Sequence, residues 1–130
     1  RTGTIRDHIT RRYDAGAVIT VNPDDNLLTA FRRMQMADVS QVPVMENGRC
    51  VGVLDESDVL VGVHGDEQRF REPVRAAMST RLETVSPAAT IAQVYSVLDR
   101  GLVALVVDGD HFLGLITRTD LLNHMRRQLR

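Results

Sequence analysis

Two short stretches of the chain share an arrangement of residue types that can bind a polar ligand. Residues 52–58 read GVLDESD and residues 114–120 read GLITRTD. Each begins with glycine and two apolar residues, and each has a polar residue three positions before a closing aspartate. The polar residue is Asp55 in the first stretch and Thr117 in the second. Because each stretch follows an apolar run and precedes an amphipathic one, we expect it to join a strand to a helix.

Two interpretations of these junctions remain open from the spacing. Thr117 with Asp120, and Asp55 with Asp58, are spaced as helix caps, whose side chains accept hydrogen bonds from the first backbone N–H groups. The same groups suit a ligand, because a helix N-terminus attracts phosphate and a carboxylate accepts hydrogen bonds from ribose hydroxyls. The glycine before each junction lets a ligand or a neighbouring backbone approach closely.

The two stretches are parts of an internal repeat. Residues 21–23 (VNP) return as residues 85–87 (VSP), and Gly52 returns as Gly114. Each copy predicts the element order β-α-β-β-α, and a single copy would bury too little core by itself. The predicted fold class is therefore α+β, with two β-α-β-β-α repeats packed sheet to sheet with pseudo-two-fold symmetry.

The repeat also predicts domain boundaries and elements. The boundaries are a lead-in linker or helix at 1–16, the first repeat at 17–63, a charged linker at 64–83 and the second repeat at 84–130. The first repeat is predicted to contain strands at 18–21, 42–45 and 50–54, a helix with Leu27, Leu28, Phe31 and Met34 on one face, and a helix from Glu56. The second is predicted to contain strands at 84–85, 104–107 and 112–116 and helices at 91–98 and 121–125.

Composition excludes several classes of function. The 130 residues carry a formal net charge of -1, contain no tryptophan and are 4% aromatic, which argues against a nucleic-acid partner. No apolar run approaches the roughly 20 residues that span a membrane. The single cysteine, Cys50, excludes an intrachain disulfide, favours the cytoplasm and is interpreted as a small buried strand residue.

The inventory of reactive side chains argues against catalysis by this chain. The four histidines show no metal-ligand spacing, so no metal is expected. All 16 basic residues are arginine, so the chain has no lysine to hold pyridoxal phosphate as a Schiff base. No nucleophile lies beside a recognisable base.

The repeat resembles a known family. VPVMENGRCVGVLDESDVL followed by VALVVDGDHFLGLITRTDLLNHM resembles a tandem pair of CBS (cystathionine-β-synthase) domains, the Bateman module, over roughly residues 17–125. TGTIRD, GAVITVNPDDNLLTAFRRM, DVSQVPV and ALVVDGDHFLGLITRTDLLN are similar to the C-terminal regulatory region of bacterial cystathionine β-synthases. In those enzymes a pyridoxal-phosphate catalytic domain precedes the pair.

The resemblance implies a non-catalytic regulatory module of cysteine biosynthesis. It would bind S-adenosylmethionine or an adenine nucleotide as effector and control its own N-terminal catalytic domain, with pyridoxal phosphate only in that domain. The alternative is a structural or dimerisation module with vestigial ligand clefts. A homodimer through the CBS modules is expected in both cases, because CBS pairs often associate in twos.

The resemblance also implies which residues bind the ligand. Asp120 would hold the ribose hydroxyls with Thr117 as its hydroxyl partner. The other residues that the resemblance implies as ligand-binding are Ala17, Val18, Val39, Gln41, Val103, Ile116 and Thr119. Val39 and Val103 stand where animal members that respond to S-adenosylmethionine carry bulky aromatics, so about 0.5–1.5 kcal/mol of stacking is lost per contact.

The counterpart cleft, with Asp55 and Asp58, is predicted to be empty or to take a ligand other than a nucleotide. A carboxylate at position 55 adds a second negative charge close to any bound phosphate. At an effective dielectric constant near 20, a like-charge contact at 4 Å costs up to about 4 kcal/mol.

Overall fold

The computed structural model describes residues 19–129, whose strands form two separate sheets. These residues divide into two compact units, Ile19–Thr80 and a second that contains residues 81–129. Each unit holds one copy of the repeat, and together they confirm the predicted α+β fold class. The helices are α1 (Leu27–Ala37), α2 (Glu56–Val63), α3 (Ile91–Asp99) and α4 (Arg118–Gln128). The strands are β1 (Gln41–Glu46), β2 (Arg49–Asp55), β3 (Leu82–Val85), β4 (Val103–Asp108) and β5 (His111–Ile116).

The first unit is built on a hairpin of β1 and β2. Asn47 and Gly48 form its two-residue turn, both at positive φ (53° and 77°), as a turn that matches the twist of the strands requires. Val21 pairs with Val44 in parallel as an isolated bridge. Among the described residues the predicted strand at 18–21 is therefore a single bridge at Val21, and its first residue lies outside the described chain.

The second unit repeats this pattern with a fuller sheet. β3 pairs in parallel with β4, which pairs antiparallel with β5. Val85 lies opposite Val106, as Val21 lies opposite Val44 in the first unit. The pairing register of each hairpin shifts at the matching position, after Val44 in the first unit and after Val106 in the second. The two copies of the sequence repeat therefore also share the register in which their strands pair.

Each unit buries its own apolar core, which fixes its helices against its sheet. Asn26 caps α1 through the Thr29 N–H, and α1 buries Leu27, Ala30 and Met34 at helical spacing. A Thr90–Gln93 capping box starts α3, which buries Val94, Val97 and Leu98. Each such aliphatic side chain contributes roughly 1.5–3 kcal/mol when it is fully buried.

The segment after α2, predicted from its charge to be a linker, contributes to the first unit. It forms two short 3₁₀ helices, Glu67–Arg71 and Val74–Ala76. Val74 is fully buried in the first core, and the ring of Phe70 lies 5.9 Å from that of Phe31. Farther along, Leu82 and Glu83 already belong to β3. Most of the charged residues of this segment are exposed, whereas Val74 is buried and Phe70 is half-buried.

Candidate functional site

Two side chains close the junction between β5 and α4. Thr117 donates to Oδ2 of Asp120 twice, from its backbone N–H at 2.8 Å and from Oγ1 at 3.1 Å. In return, the Asp120 N–H donates to Thr117 Oγ1 at 3.4 Å. The capping box expected from the spacing is therefore present.

The cap leaves part of this junction available to a ligand. Asp120 is half-buried, and its second oxygen, Oδ1, accepts no hydrogen bond from residues 19–129. The N–H groups of Arg118 and Thr119 have no acceptor within the helix, because they belong to its first turn. Helix capping and hydroxyl binding are thus compatible at α4, since they use different oxygens of one carboxylate.

The remaining predicted residues of the second unit surround the same strand ends. Ala104 and Ile116 form the last pair of the β4–β5 ladder, so Val103 and Thr117 occupy the next positions on the two strands. Val103 is half-buried, and Thr119 is exposed on the first turn of α4. Ile116 is 3% exposed and packs in the core, so its side chain supports the junction from below.

The predicted residues of the first unit meet at the corresponding junction, between β2 and α2. Gln41 begins β1, and its Nε2 donates to Oδ2 of Asp55 at 2.9 Å. Oδ1 of Asp55 accepts from the Ser57 N–H at 2.7 Å, which caps α2. Val39 is half-buried against the first core and follows Asp38, which ends α1 in the left-handed conformation. Ala17 and Val18 lie outside the described residues.

Gln41 has a partner that the sequence analysis missed. The resemblance implied that Gln41 binds the ligand together with Asp120. The structure shows its amide bonded to Asp55. The sequence repeat could have revealed this pairing, because Gln41 lies opposite Asp55 in the hairpin register. Val103 and Thr117 occupy the matching positions in the second repeat. An aspartate cap thus faces an amide donor, and a threonine cap faces a valine.

Asp58 differs from Asp120 despite the shared motif. It is exposed, and its carboxylate makes no hydrogen bond with the described part of the chain. The β1–β2 ladder continues to the Gln41–Asp55 pair, one position farther than the β4–β5 ladder. The first junction therefore has no reciprocal capping box, and the carboxylate of Asp55 does the capping alone.

The motif glycine of the first unit makes room for protein. A Cβ atom at Gly52 would lie 2.8 Å from Met78 Sδ and 3.0 Å from the Ser79 carbonyl oxygen. Ser79 pairs with Val53 through two backbone hydrogen bonds, of 2.8 and 2.9 Å. Of the two roles open from the sequence, close approach by a neighbouring backbone is the one observed here.

Other features of the described residues offer no competing chemistry. Burial raises the pKa of the half-buried Cys50 thiol, whose Sγ lies 3.3 Å from the Gly52 carbonyl oxygen, so the thiol stays protonated near neutral pH. No group of three potential metal ligands occurs among residues 19–129. None of their helices is long and apolar enough to cross a membrane.

A shallow groove lies between β3 and α3 of the second unit. It measures about 510 Å³ and contains none of the predicted binding residues. Its charged side chains, Arg100 and Glu83, bind each other at 2.8 Å. The hydrogen bond from Arg100 lowers the pKa of the Glu83 carboxyl, and the same bond raises the pKa of the Arg100 guanidinium. Both groups therefore stay charged. Because these charges are paired, the groove offers no free charged group to a ligand.

Comparison with known proteins decides the family. The model of the CBS domain family matches the chain twice, over residues 6–65 and 74–127. The chain belongs to the CBS domain family. It is a tandem CBS pair, as the resemblance of the sequence predicted.

Relatives of this CBS pair are found in distant organisms. The CBS domain-containing protein YhcV of Bacillus subtilis is 25% identical over 106 residues, which cover 80% of this chain and 76% of that protein. An uncharacterized protein of Methanocaldococcus jannaschii is 28% identical over 107 residues, 81% of this chain. That match covers only 35% of the archaeal protein, so the chain corresponds to about a third of this relative.

Solved structures support the same fold. The CBS-pair protein CBSX2 from Arabidopsis thaliana superimposes with a TM-score of 0.78 at 19% identity, covering 100% of this chain and 99% of that one. Identity at this level shows the fold alone. The names of these relatives support the CBS pair and do not include a cystathionine β-synthase.

Proposed function

We propose that this CBS pair is a regulatory module that binds an adenosyl ligand, S-adenosylmethionine or an adenine nucleotide, at the start of α4. Asp120 carries the proposal. Its Oδ2 is held by Thr117 while Oδ1 accepts nothing from the described residues. A carboxylate fixed in this way presents one charged acceptor to a ribose hydroxyl without having to reorganise.

The surroundings of Asp120 suit the rest of such a ligand. The first two N–H groups of α4 suit a phosphate or another polar group. Arg118, exposed at the first helical position, adds a positive side chain. Val103 supplies an apolar contact beside the strand end, smaller than an aromatic ring. We therefore expect weaker adenine binding than a stacked site gives.

We further propose that the module controls an attached enzyme of the cystathionine β-synthase type, in the cytoplasm. The support is the resemblance of residues such as TGTIRD and DVSQVPV to the regulatory region of those enzymes. Pyridoxal phosphate would then lie in the enzyme's catalytic domain, and this module would hold only the effector. Regulation requires that the effector bind one arrangement of the protein more tightly than another.

Calorimetric titration with S-adenosylmethionine, AMP, ADP and ATP tests the binding proposal. Asp120→Asn is the informative variant, because the amide oxygen still accepts from Thr117 while the negative charge is lost. Asp58→Asn is the matched control, since Asp58 occupies the same motif position in the first repeat and is exposed. We expect saturable heat in the unaltered protein and the control, and at least about a tenfold weaker association for Asp120→Asn, since hydrogen bonds to charged groups contribute about 1.5–3 kcal/mol.

The alternative function is a structural module that dimerises. It is favoured by apolar side chains that α4 leaves exposed at helical spacing: Leu122, Met125 and Leu129. α2 exposes Leu60 and Val61. α2 also begins with Glu56 and Asp58 while α4 ends with Arg126 and Arg127, so α2 of one copy complements α4 of a second. No heat with any of the four ligands would decide for this function.

A further inference from the structure

Among the positions at which the two helix junctions of this CBS pair differ, two face each other across a hairpin. At the α4 junction these positions are Val103 and Thr117, which are both uncharged. At the α2 junction they are Gln41 and Asp55, which are bonded at 2.9 Å. The later aspartate of the motif is the same in both repeats, whereas the first residue of the helix also differs.

We propose that Gln41 and Asp55 form a specificity-determining pair that closes the α2 junction to nucleotide phosphates. This inference rests on the proposed function of the α4 junction. In this pair Asp55 repels the phosphate, and Gln41 is the positioning residue that holds Asp55 in place.

The hydrogen bonds of Asp55 explain the closure. The carboxylate accepts from Ser57 N–H through Oδ1 and from Gln41 Nε2 through Oδ2. Both oxygens are therefore held at the N-terminus of α2, where a phosphate would otherwise bind. Glu56 adds a further carboxylate in the first turn of the helix, where the α4 junction has Arg118.

Gln41 has a second effect, on the shape of the junction. The Gln41–Asp55 pair extends the β1–β2 ladder by one position, so Asp55 is both the last strand residue and the helix cap. At the α4 junction the ladder stops earlier, and the Thr117 N–H donates to Asp120. Replacement of the polar pair by valine and threonine therefore leaves position 55 able to form a capping box with Asp58.

A transfer of the pair between repeats tests this inference. Asp120→Asn is made first, so that nucleotide binding at the α4 junction is at least about tenfold weaker. Gln41→Val and Asp55→Thr are then added. AMP and ATP binding is measured by calorimetry, with adenosine as the ligand without phosphate. We expect AMP and ATP to bind at least about tenfold more tightly than to Asp120→Asn alone, because a like charge has been removed.

Three controls separate this gain from a general change in the protein. Addition of Asp58→Asn to the transferred pair should abolish the gain, because Asp58 then acts as the ribose acceptor. Gln41→Val alone should give a smaller gain than the transferred pair, because the charge of Asp55 remains but Nε2 of Gln41 no longer fixes Oδ2 at the helix N-terminus. The reciprocal change, Val103→Gln with Thr117→Asp in the otherwise unaltered protein, should remove AMP and ATP binding.

The outcomes distinguish this inference from the function on which it rests. If Asp120→Asn weakens binding at least about tenfold and the transferred pair restores none of it, the inference is overturned and the α4 site stands. If the unaltered protein binds no nucleotide, the proposed function fails, and a gain from the transferred pair still supports the inference. Asp55→Asn is the variant to use if the double change unfolds the protein: it removes the charge and should raise affinity for AMP more than for adenosine.

Discussion

At the scale of single residues, one motif supports two different arrangements. Asp120 uses one oxygen for its cap and its other oxygen accepts no hydrogen bond from residues 19–129, whereas both oxygens of Asp55 are hydrogen-bonded to the protein. The difference begins with the cap residue, because a hydroxyl can donate to the later aspartate and a carboxylate cannot. Identical spacing in a sequence therefore does not establish identical availability to a ligand.

Gly52 gives a prediction at this scale. Gly52→Ala should lower the free energy of unfolding by about 1–3 kcal/mol, as overpacking of a filled site does, because its Cβ would approach Met78 and Ser79. The measurement is urea unfolding followed by circular dichroism.

Gly62 provides the matched control for this change. It lies in α2 with no atom within 4 Å of an added Cβ. Gly62→Ala should therefore raise the free energy of unfolding by about 0.5–1 kcal/mol through helix propensity. Equal effects of the two substitutions would show that residues 78 and 79 do not pack over Gly52.

At the scale of elements, the segment after α2 acts as part of the first repeat. Its backbone pairs with β2 through Ser79, and its Phe70 covers Phe31 on α1. The matching position on α3 is Tyr95, which is exposed. The two repeats thus share strands and helices and differ in what covers the helices.

Val74 tests whether this segment is structural. Val74→Ala should destabilise the protein by about 1–3 kcal/mol, because a side chain that is 0% exposed leaves a cavity. Met36→Ala, on a residue that is 88% exposed and outside the proposed interface, should change the unfolding free energy by less than about 0.5 kcal/mol. A neutral Val74→Ala in urea unfolding would mean that the segment is the loose linker its charge suggests.

At the scale of the whole molecule, the exposed apolar residues of α4 predict self-association. Leu122→Asp with Met125→Asp should convert a dimer to a monomer in sedimentation equilibrium, since charges in an apolar interface are costly to desolvate. Met36→Asp is the control, because Met36 is 88% exposed on α1 and lies outside the proposed interface. The interface is elsewhere if the two variants sediment alike.

Much of the fold was predictable because it depends on local patterns. Apolar periodicity placed α1 and α3, and turn residues placed both hairpins, within a few residues of their observed bounds. The charged segment at 64–83 was misleading, because its exposed charges outnumber the few apolar residues that decide where it packs.

The sequence by itself determined the repeat, the family and the Thr117–Asp120 capping box. A cap joins residues three positions apart, so its hydrogen bonds are implied once a helix begins there. Only the tertiary structure decided that Gln41 binds Asp55 and that Ser79 lies over Gly52. Those contacts depend on strand register and on the path of a distant segment, which are set by burial across the whole unit.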